Sequence, residues 1–289
     1  MSPNPLISTD ELAAMLAQPD VRVLDASWRI GGPNMRPAWA EAHIRGAQFF
    51  DIDAISDQTS KLPHMLPAAE DFAAAMGALG LSETDRIVIY DDGVLQSAPR
   101  VWWTFRVFGA ERVQVLDGGL PKWRAEGRPL ESGETRAKPA RFTRRYRPEL
   151  VRDYGQILDV MLGGGPLLVD TRSGERFRGE APEPRPGLRS GHIPGARNLP
   201  MSSFYAADGT LKTPDALRAA FAEAGVDPAA PVIASCGSGV SAASVALARA
   251  VLGHGDTPVY DGSWADWGGR PDAPVATGPA GKGERVPRG

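Results

Sequence analysis

The chain repeats itself. The segment VRVLD at 21–25 returns as LLVD at 167–170, and AHIRGA at 42–47 returns as GHIPGA at 191–196. VIYDD at 88–92 is matched by VIASC at 232–236, and LDG at 116–118 by YDG at 260–262. The interval from Asp92 to Asp117 is 25 residues, the same as from Cys236 to Asp261. On that spacing Asp92 stands at the cysteine position of the first copy. Two copies of one unit, each burying its own core, are the expected architecture, and 289 residues are enough for both. The expected boundaries are 1–130 for the first domain, 131–150 for a linker, 151–275 for the second domain and 276–289 for a tail. The tail is rich in Gly, Pro and charge and is expected to be disordered.

Within each copy, short apolar runs alternate with helical patterns. Helices are expected at 9–17, 68–79 and 98–108, and again at 152–161, 214–224 and 240–252. Thr9 and Asp10 are candidate caps for the first of these. Strand–helix alternation implies an α/β fold, with a mostly parallel sheet flanked by helices in each copy. Residues 136–152 carry seven Arg or Lys against one Glu, the composition of a solvated linker strapped along the domains.

The one cysteine concentrates the chemistry. Cys236 follows the apolar run Val232-Ile233-Ala234, which reads as a buried strand, and opens the loop Cys-Gly-Ser-Gly-Val-Ser at 236–241. An Ala- and Leu-rich helical run follows. Two glycines permit a tight turn with positive φ. Such a loop aims backbone N–H groups inward, and the next helix adds the positive end of its dipole. A cradle of this kind stabilises an anion, here a thiolate. Open α/β sheets place their sites at the carboxyl ends of strands, where this cysteine falls.

Other classes find little support. A single cysteine excludes an internal disulfide framework, and four scattered histidines offer no zinc-ligand spacing. The net charge of −3 gives no reason to expect nucleic acid or an anionic membrane as partner. The N-terminus lacks the pattern of a secretory signal and no run is long enough to span a membrane. A working thiol suits a reducing, cytoplasmic setting. The histidines His43 and His192 sit at matching positions of the two copies, one of which has no nucleophile, so they are expected to bond backbone at a turn. His64 has no counterpart in the second copy.

The loop at 236–241, its flanks and Val259-Tyr260-Asp261-Gly262 resemble the catalytic half of the tandem rhodanese superfamily. Within it, CGSGVSA is similar to the 3-mercaptopyruvate sulfurtransferases. Thiosulfate sulfurtransferases of the same fold carry basic residues where this chain has Gly237 and Ser238. The resemblance extends to about residue 274. It implies two tandem rhodanese-like domains and a sulfur transfer through a Cys236 persulfide, with pyruvate released and no metal or organic cofactor required. The segment FFDIDAISDQTSKLPHMLP implies a relay of Asp53, His64 and Ser238 beside the cysteine, with the silent copy contributing to a site at the domain interface. The segment FRGEAPEPRPG implies that Arg178 and Arg185 hold the substrate carboxylate and ketone. The N–H groups of Gly237, Gly239, Val240 and Ser241 would cradle the outer sulfur. Ser241 replaces the Thr found at that place in the family, and its hydroxyl is expected to cap the following helix. Thioredoxin, a small thiol or cyanide are the acceptors the resemblance implies.

Three rival readings remain. A thiosulfate sulfurtransferase differs only in its donor. A persulfide carrier or binding module would keep the thiol but not turn over. A cysteine phosphatase needs C-x5-R, whereas the residue six after Cys236 is Ala242.

Overall fold

The structure is a computed structural model that describes residues 4–93 and 96–280. The chain divides into two compact units. The first comprises Met1–Thr59, Leu66–Arg147 and Tyr205–Leu211; the second comprises Ser60–Met65, Pro148–Phe204 and Lys212–Gly289. The boundaries therefore differ from a single cut at a linker. His64 belongs with the second unit, and a short stretch of the second half belongs with the first.

In the first unit the elements run β1 (Leu6–Ile7), α1 (Thr9–Met15), β2 (Val21–Asp25), α2 (Arg36–Glu41), β3 (His43–Ile44) and β4 (Gln48–Phe49). They continue with α3 (Ala69–Ala78), β5 (Arg86–Tyr90), α4 (Ala98–Val107), β6 (Val113–Leu116), α5 (Gly119–Ala125) and β7 (Leu130–Glu131). Five strands form one sheet in the order β1-β6-β5-β2-β4, with every pairing parallel. Strands β3 and β7 form a separate antiparallel pair. The central strands β2 and β5 read as near-continuous apolar runs because helices cover both faces of a parallel sheet. Ile7, Val23, Val88, Leu116 and Trp123 meet in one of its cores.

The second unit contains β8 (Val151–Arg152), α6 (Tyr154–Gly163), β9 (Leu167–Asp170), α7 (Gly174–Arg178) and β10 (Arg197–Asn198). It ends with α8 (Pro214–Glu223), β11 (Val232–Ser235), α9 (Ala243–Val251), β12 (Val259–Tyr260) and α10 (Ser263–Trp267). The sheet order is β10-β9-β11-β12-β8, again all parallel. Replacing each strand by its counterpart in the first copy gives the first sheet, so the duplication holds at the level of topology.

The strand ladders correct the alignment of the copies by one residue. Asp25 pairs with Tyr90 across β2 and β5, and Asp170 pairs with Ser235 across β9 and β11. Tyr90 is thus the counterpart of Ser235, and the residue at the cysteine position is Asp91, not Asp92. The backbone bonds agree: Leu120 N–H donates to Asp91 O at 2.9 Å, as Trp264 N–H donates to Cys236 O at 2.9 Å. The first copy has one extra residue between Asp91 and the end of α4, which is one residue longer than α9, so equal 25-residue spacings align positions that the sheets do not. In a strand such a slip moves every side chain to the other face, which is why the ladders decide the matter.

Local details also differ from expectation. Helix α1 is capped by Ser8, whose hydroxyl accepts from Glu11 N–H at 3.2 Å while the Glu11 carboxylate accepts from Ser8 N–H at 2.9 Å. This reciprocal box satisfies two end donors at once, so the cap precedes Thr9 and Asp10. The basic linker is not merely solvated. Phe142 buries its ring between Phe72 and Phe105, with centroids at 5.5 and 5.9 Å. Ala140 N–H donates to Gly77 O and Arg145 N–H to Phe108 O, both at 2.9 Å. These bonds explain why the chain as far as Arg147 belongs to the first unit. The start of the expected tail is ordered too: Ala276 exchanges backbone bonds of 2.8 and 2.9 Å with His192, and Gly278 N–H donates to Arg178 O at 2.9 Å. The expected disorder of 281–289 lies outside the described residues.

Candidate active site

Parallel pairing brings the carboxyl ends of β9, β11 and β12 to one edge of the second sheet, so the loops after Asp170, Ser235 and Tyr260 leave side by side. Cys236 is the first residue beyond β11 and is 2 % exposed. Its backbone is held from both sides. The N–H donates to Ser263 Oγ at 3.2 Å, and the carbonyl accepts from Trp264 N–H at 2.9 Å. Gly237 O accepts from Ala265 N–H at 2.9 Å. The first turn of α10 therefore fixes where Cys236 sits.

Ser263 was not legible as a site residue in the sequence, yet its geometry is unusual. It is fully buried with φ at +49°, a conformation that suits glycine better than serine. Its hydroxyl donates to Tyr260 O at 2.7 Å and accepts from Cys236 N–H. The first copy has Gly119 at this position, with φ at +54°. The second copy thus keeps a strained residue where the first uses an unstrained one, and the strained residue holds the Cys236 backbone.

The first copy carries a carboxylate at the cysteine position. Asp91 is 3 % exposed, and its carboxylate accepts from Gly93 N–H at 2.8 Å and from Ala98 N–H, the first residue of α4, at 2.7 Å. A resident anion therefore occupies, in the first copy, the strand end and helix start that carry Cys236 in the second. Burial raises the Asp91 carboxyl to about 6, against those two bonds, which lower it.

In the second copy the loop extends from Cys236 to the start of α9. Gly239 takes φ of +76° at its turn, and Ser238 is 4 % exposed. Among the described residues, no chain group accepts from the N–H of Gly237, Ser238, Val240 or Ser241, leaving these donors to an anion. The Ser241 hydroxyl does not cap α9. It shares a 2.9 Å hydrogen bond with Thr171 Oγ1, just after β9, and α9 begins after Ala242 with no side-chain cap.

The two predicted arginines part company. Arg178 lies at the end of α7 with Nε and Nη2 bound to the Glu180 carboxylate at 2.8 and 2.6 Å. Arg176, two residues earlier, faces a different side of the helix. A Cβ built on Gly237 would lie 3.0 Å from Arg176 Nη2, so this guanidinium is packed against the cysteine loop. Arg176 in turn binds Glu183, with Nη2–Oε2 at 2.6 Å and Nε–Oε1 at 3.2 Å. Glu183 also accepts from Arg172 Nη1 at 2.8 Å, and Arg172 binds Asp170 at 2.7 Å through Nη2. The Arg172 side chain is wholly buried, and its guanidinium lies 4.3 Å from the Trp264 ring centroid. Burial alone would weaken the charge of Arg172, but Asp170 and Glu183 outweigh it and hold the guanidinium protonated. Alternating spacing of Arg and Glu in the sequence looks like ordinary surface charge. Only the folded loop shows that Arg172 and Glu183 turn inward.

Arg185 meets His64. Its Nη2 lies 3.0 Å from His64 Nε2, within the second unit. A guanidinium only donates, so His64 Nε2 accepts and the ring proton sits on Nδ1. His64 is 8 % exposed and has φ at +60°, again a strained residue at a polar site. Asp53 belongs to the first unit, is exposed, and its Oδ2 accepts from Trp28 Nε1 at 3.0 Å. His43 and His192 each place Nδ1 2.8 Å from a backbone carbonyl, of Trp39 and Phe177 respectively, as expected for turn histidines.

The family model described as the Rhodanese-like domain matches residues 8–126 and again 155–270. The chain belongs to the rhodanese family. The human 3-mercaptopyruvate sulfurtransferase is 44% identical over 270 residues, covering 91% of each chain. The mitochondrial thiosulfate/3-mercaptopyruvate sulfurtransferase 1 of Arabidopsis thaliana is 42% identical, covering 94% of this chain and 78% of its own. Among solved structures, SseA from Escherichia coli, described as a 3-mercaptopyruvate sulfotransferase, superposes with a TM-score of 0.83. It shares 40% identity and covers 90% of this chain and 99% of its own. The rhodanese domains of this chain are thus the two five-stranded units, with the cysteine in the second. Among the described residues no helix is long and apolar enough to cross a membrane, and no cluster of metal-ligating side chains occurs.

Proposed function

We propose that this rhodanese transfers the sulfur of 3-mercaptopyruvate through a Cys236 persulfide. The observation that carries the reading is the neutral cysteine loop with an arginine beside it. Gly237 leaves room for the Arg176 guanidinium, so the cation reaches the loop from α7 and none stands within it. Guanidinium forks match a carboxylate. We assign the α-keto acid end of the substrate to Arg176 and Arg185, with Arg176 in the place first given to Arg178.

The Cys236 thiolate attacks the substrate sulfur. The carbon–sulfur bond breaks and its electron pair passes to carbon, giving the enolate of pyruvate, which the arginines stabilise. Ser238 and His64, both in the second unit, deliver a proton to that carbon. The sulfur stays on Cys236 as a persulfide cradled by Gly237, Gly239, Val240 and Ser241. A thiol acceptor such as thioredoxin, or cyanide, then attacks the outer sulfur and restores the thiolate. The cycle suits a reducing compartment such as the cytoplasm.

The test is steady-state sulfur transfer to cyanide from 3-mercaptopyruvate and from thiosulfate, on one preparation. Preference for 3-mercaptopyruvate, with pyruvate and thiocyanate formed in step, is expected; preference for thiosulfate would overturn the donor. Some thiosulfate activity is consistent with the Arabidopsis relative, whose name carries both donors. Cys236→Ser is expected to reduce transfer from either donor to the uncatalysed level without loss of fold. Arg185→Ala is expected to raise KM for 3-mercaptopyruvate by roughly tenfold or more, the scale of a charge-assisted bond; an unchanged KM would remove it from the clamp.

A further inference from the structure

Four charged pairs lie near the counterpart loops of the two copies. In the first copy Arg29 is paired in a fork with Asp92, Nη1–Oδ1 at 2.8 Å, and Asp92 is the structural counterpart of Gly237. The arginine there is neutralised by the loop itself. In the second copy the loop has no carboxylate, and Arg176 takes its partner from Glu183 instead. The Glu183 side chain is only 2 % exposed and serves two arginines, Arg172 through Oε1 and Arg176 through both oxygens. Arg172 is anchored at the end of β9 by Asp170 and by Gly191 O at 2.8 Å, and it stacks on Trp264, whose N–H holds Cys236 O. In the strand ladders Asp170 corresponds to Asp25 of the first copy.

We infer that Glu183 is a positioning residue for sulfur transfer: its buried carboxylate holds Arg176 against Gly237 and ties it to the Asp170–Arg172 strand end that also braces the nucleophile. The inference rests on the reading of Arg176 as a ligand of the substrate carboxylate. A guanidinium held by two bonds from one carboxylate keeps its orientation, and a fixed fork loses less freedom when the substrate arrives. The alternating chain Asp170, Arg172, Glu183, Arg176 also lets a cation stand beside the loop without leaving another buried charge uncompensated.

The experiment is steady-state kinetics with 3-mercaptopyruvate and cyanide on the full chain, for E183Q, R176A and the double variant. E183Q is expected to raise KM roughly tenfold while kcat changes less than about threefold. In the R176A background the same substitution is expected to add nothing further to KM, because its effect passes through Arg176. Multiplying effects in the double variant, a silent E183Q, or a fall confined to kcat would overturn the role of Glu183. R176A with an unchanged KM would instead overturn the reading of Arg176, and the inference with it. Should E183Q not fold, E183D applies the same criterion: it keeps the buried charge but is one methylene too short to bridge both arginines, and KM is expected to rise with little change in kcat. An unchanged KM in E183D would equally overturn the role.

Discussion

Ser263 braces Cys236 from outside the cysteine loop. Its hydroxyl is the acceptor for Cys236 N–H, and it occupies a backbone conformation that the first copy gives to Gly119. Replacing it by alanine keeps the strain and leaves a buried N–H unsatisfied. Ser263→Ala is expected to cost about 1–3 kcal/mol in urea unfolding and to lower kcat with 3-mercaptopyruvate and with thiosulfate alike. An effect on KM for one donor only would mean that Ser263 does not act through the nucleophile. His64 belongs to the same scale. Its Nε2 accepts from Arg185, so any part it takes in proton delivery is coupled to the position of the clamp. The sequence nominates His64 but not its bond to Arg185, and Ser263 reads there only as a serine in a turn.

At the level of elements, the strand-end loop of the first copy is a natural control for that of the second. Asp91 places a carboxylate on the N–H groups that open α4, yet burial wins over those bonds and raises its carboxyl from the ordinary 3.8 to about 6. The folded chain therefore holds this proton more tightly than the unfolded chain does. Stability falls as pH rises from about 4 through about 6, and the penalty is complete above that, of order 2–3 kcal/mol. Unfolding free energy measured by urea between pH 5 and 7 is expected to fall with pH in the wild type and to fall less in Asp91→Asn. An identical slope in both would show that Asp91 is not the titrating group. The linker makes a related point. The seven basic residues of 136–152 suggest a solvated strap, but one phenylalanine among them, Phe142, binds it into the aromatic core of the first unit. Composition averages over a segment, whereas docking depends on the one side chain that finds a cavity.

For the molecule as a whole, the duplication repeats the scaffold but not the charged side chains around the loop. The sheets have the same strand order and the same ladder register at the loop, but only the second unit contains Arg172, Glu183 and Arg176. Asp91→Cys in a Cys236→Ser background is therefore expected to give no sulfur transfer from 3-mercaptopyruvate to cyanide above background, although it restores a thiol at the strand end of a rhodanese unit. Recovery of turnover would mean that the loop alone suffices. Much of this organisation was legible in the amino-acid order. Repeated segments, strand–helix alternation and a lone cysteine in a Gly-rich turn determine two α/β units and a cysteine at a strand end of the second, because periodicity and turn chemistry are local properties of a chain. What tertiary structure decided is of another kind. Equal spacings pointed to Asp92, and the strand ladders put Asp91 at the cysteine position. Arg178 and Arg176 are two residues apart and alike in composition, and only the packing of α7 turns one to Glu180 and the other to the loop. Glu183, Ser263 and the His64–Arg185 bond depend on contacts between residues distant in sequence, whose burial and partners no local pattern encodes.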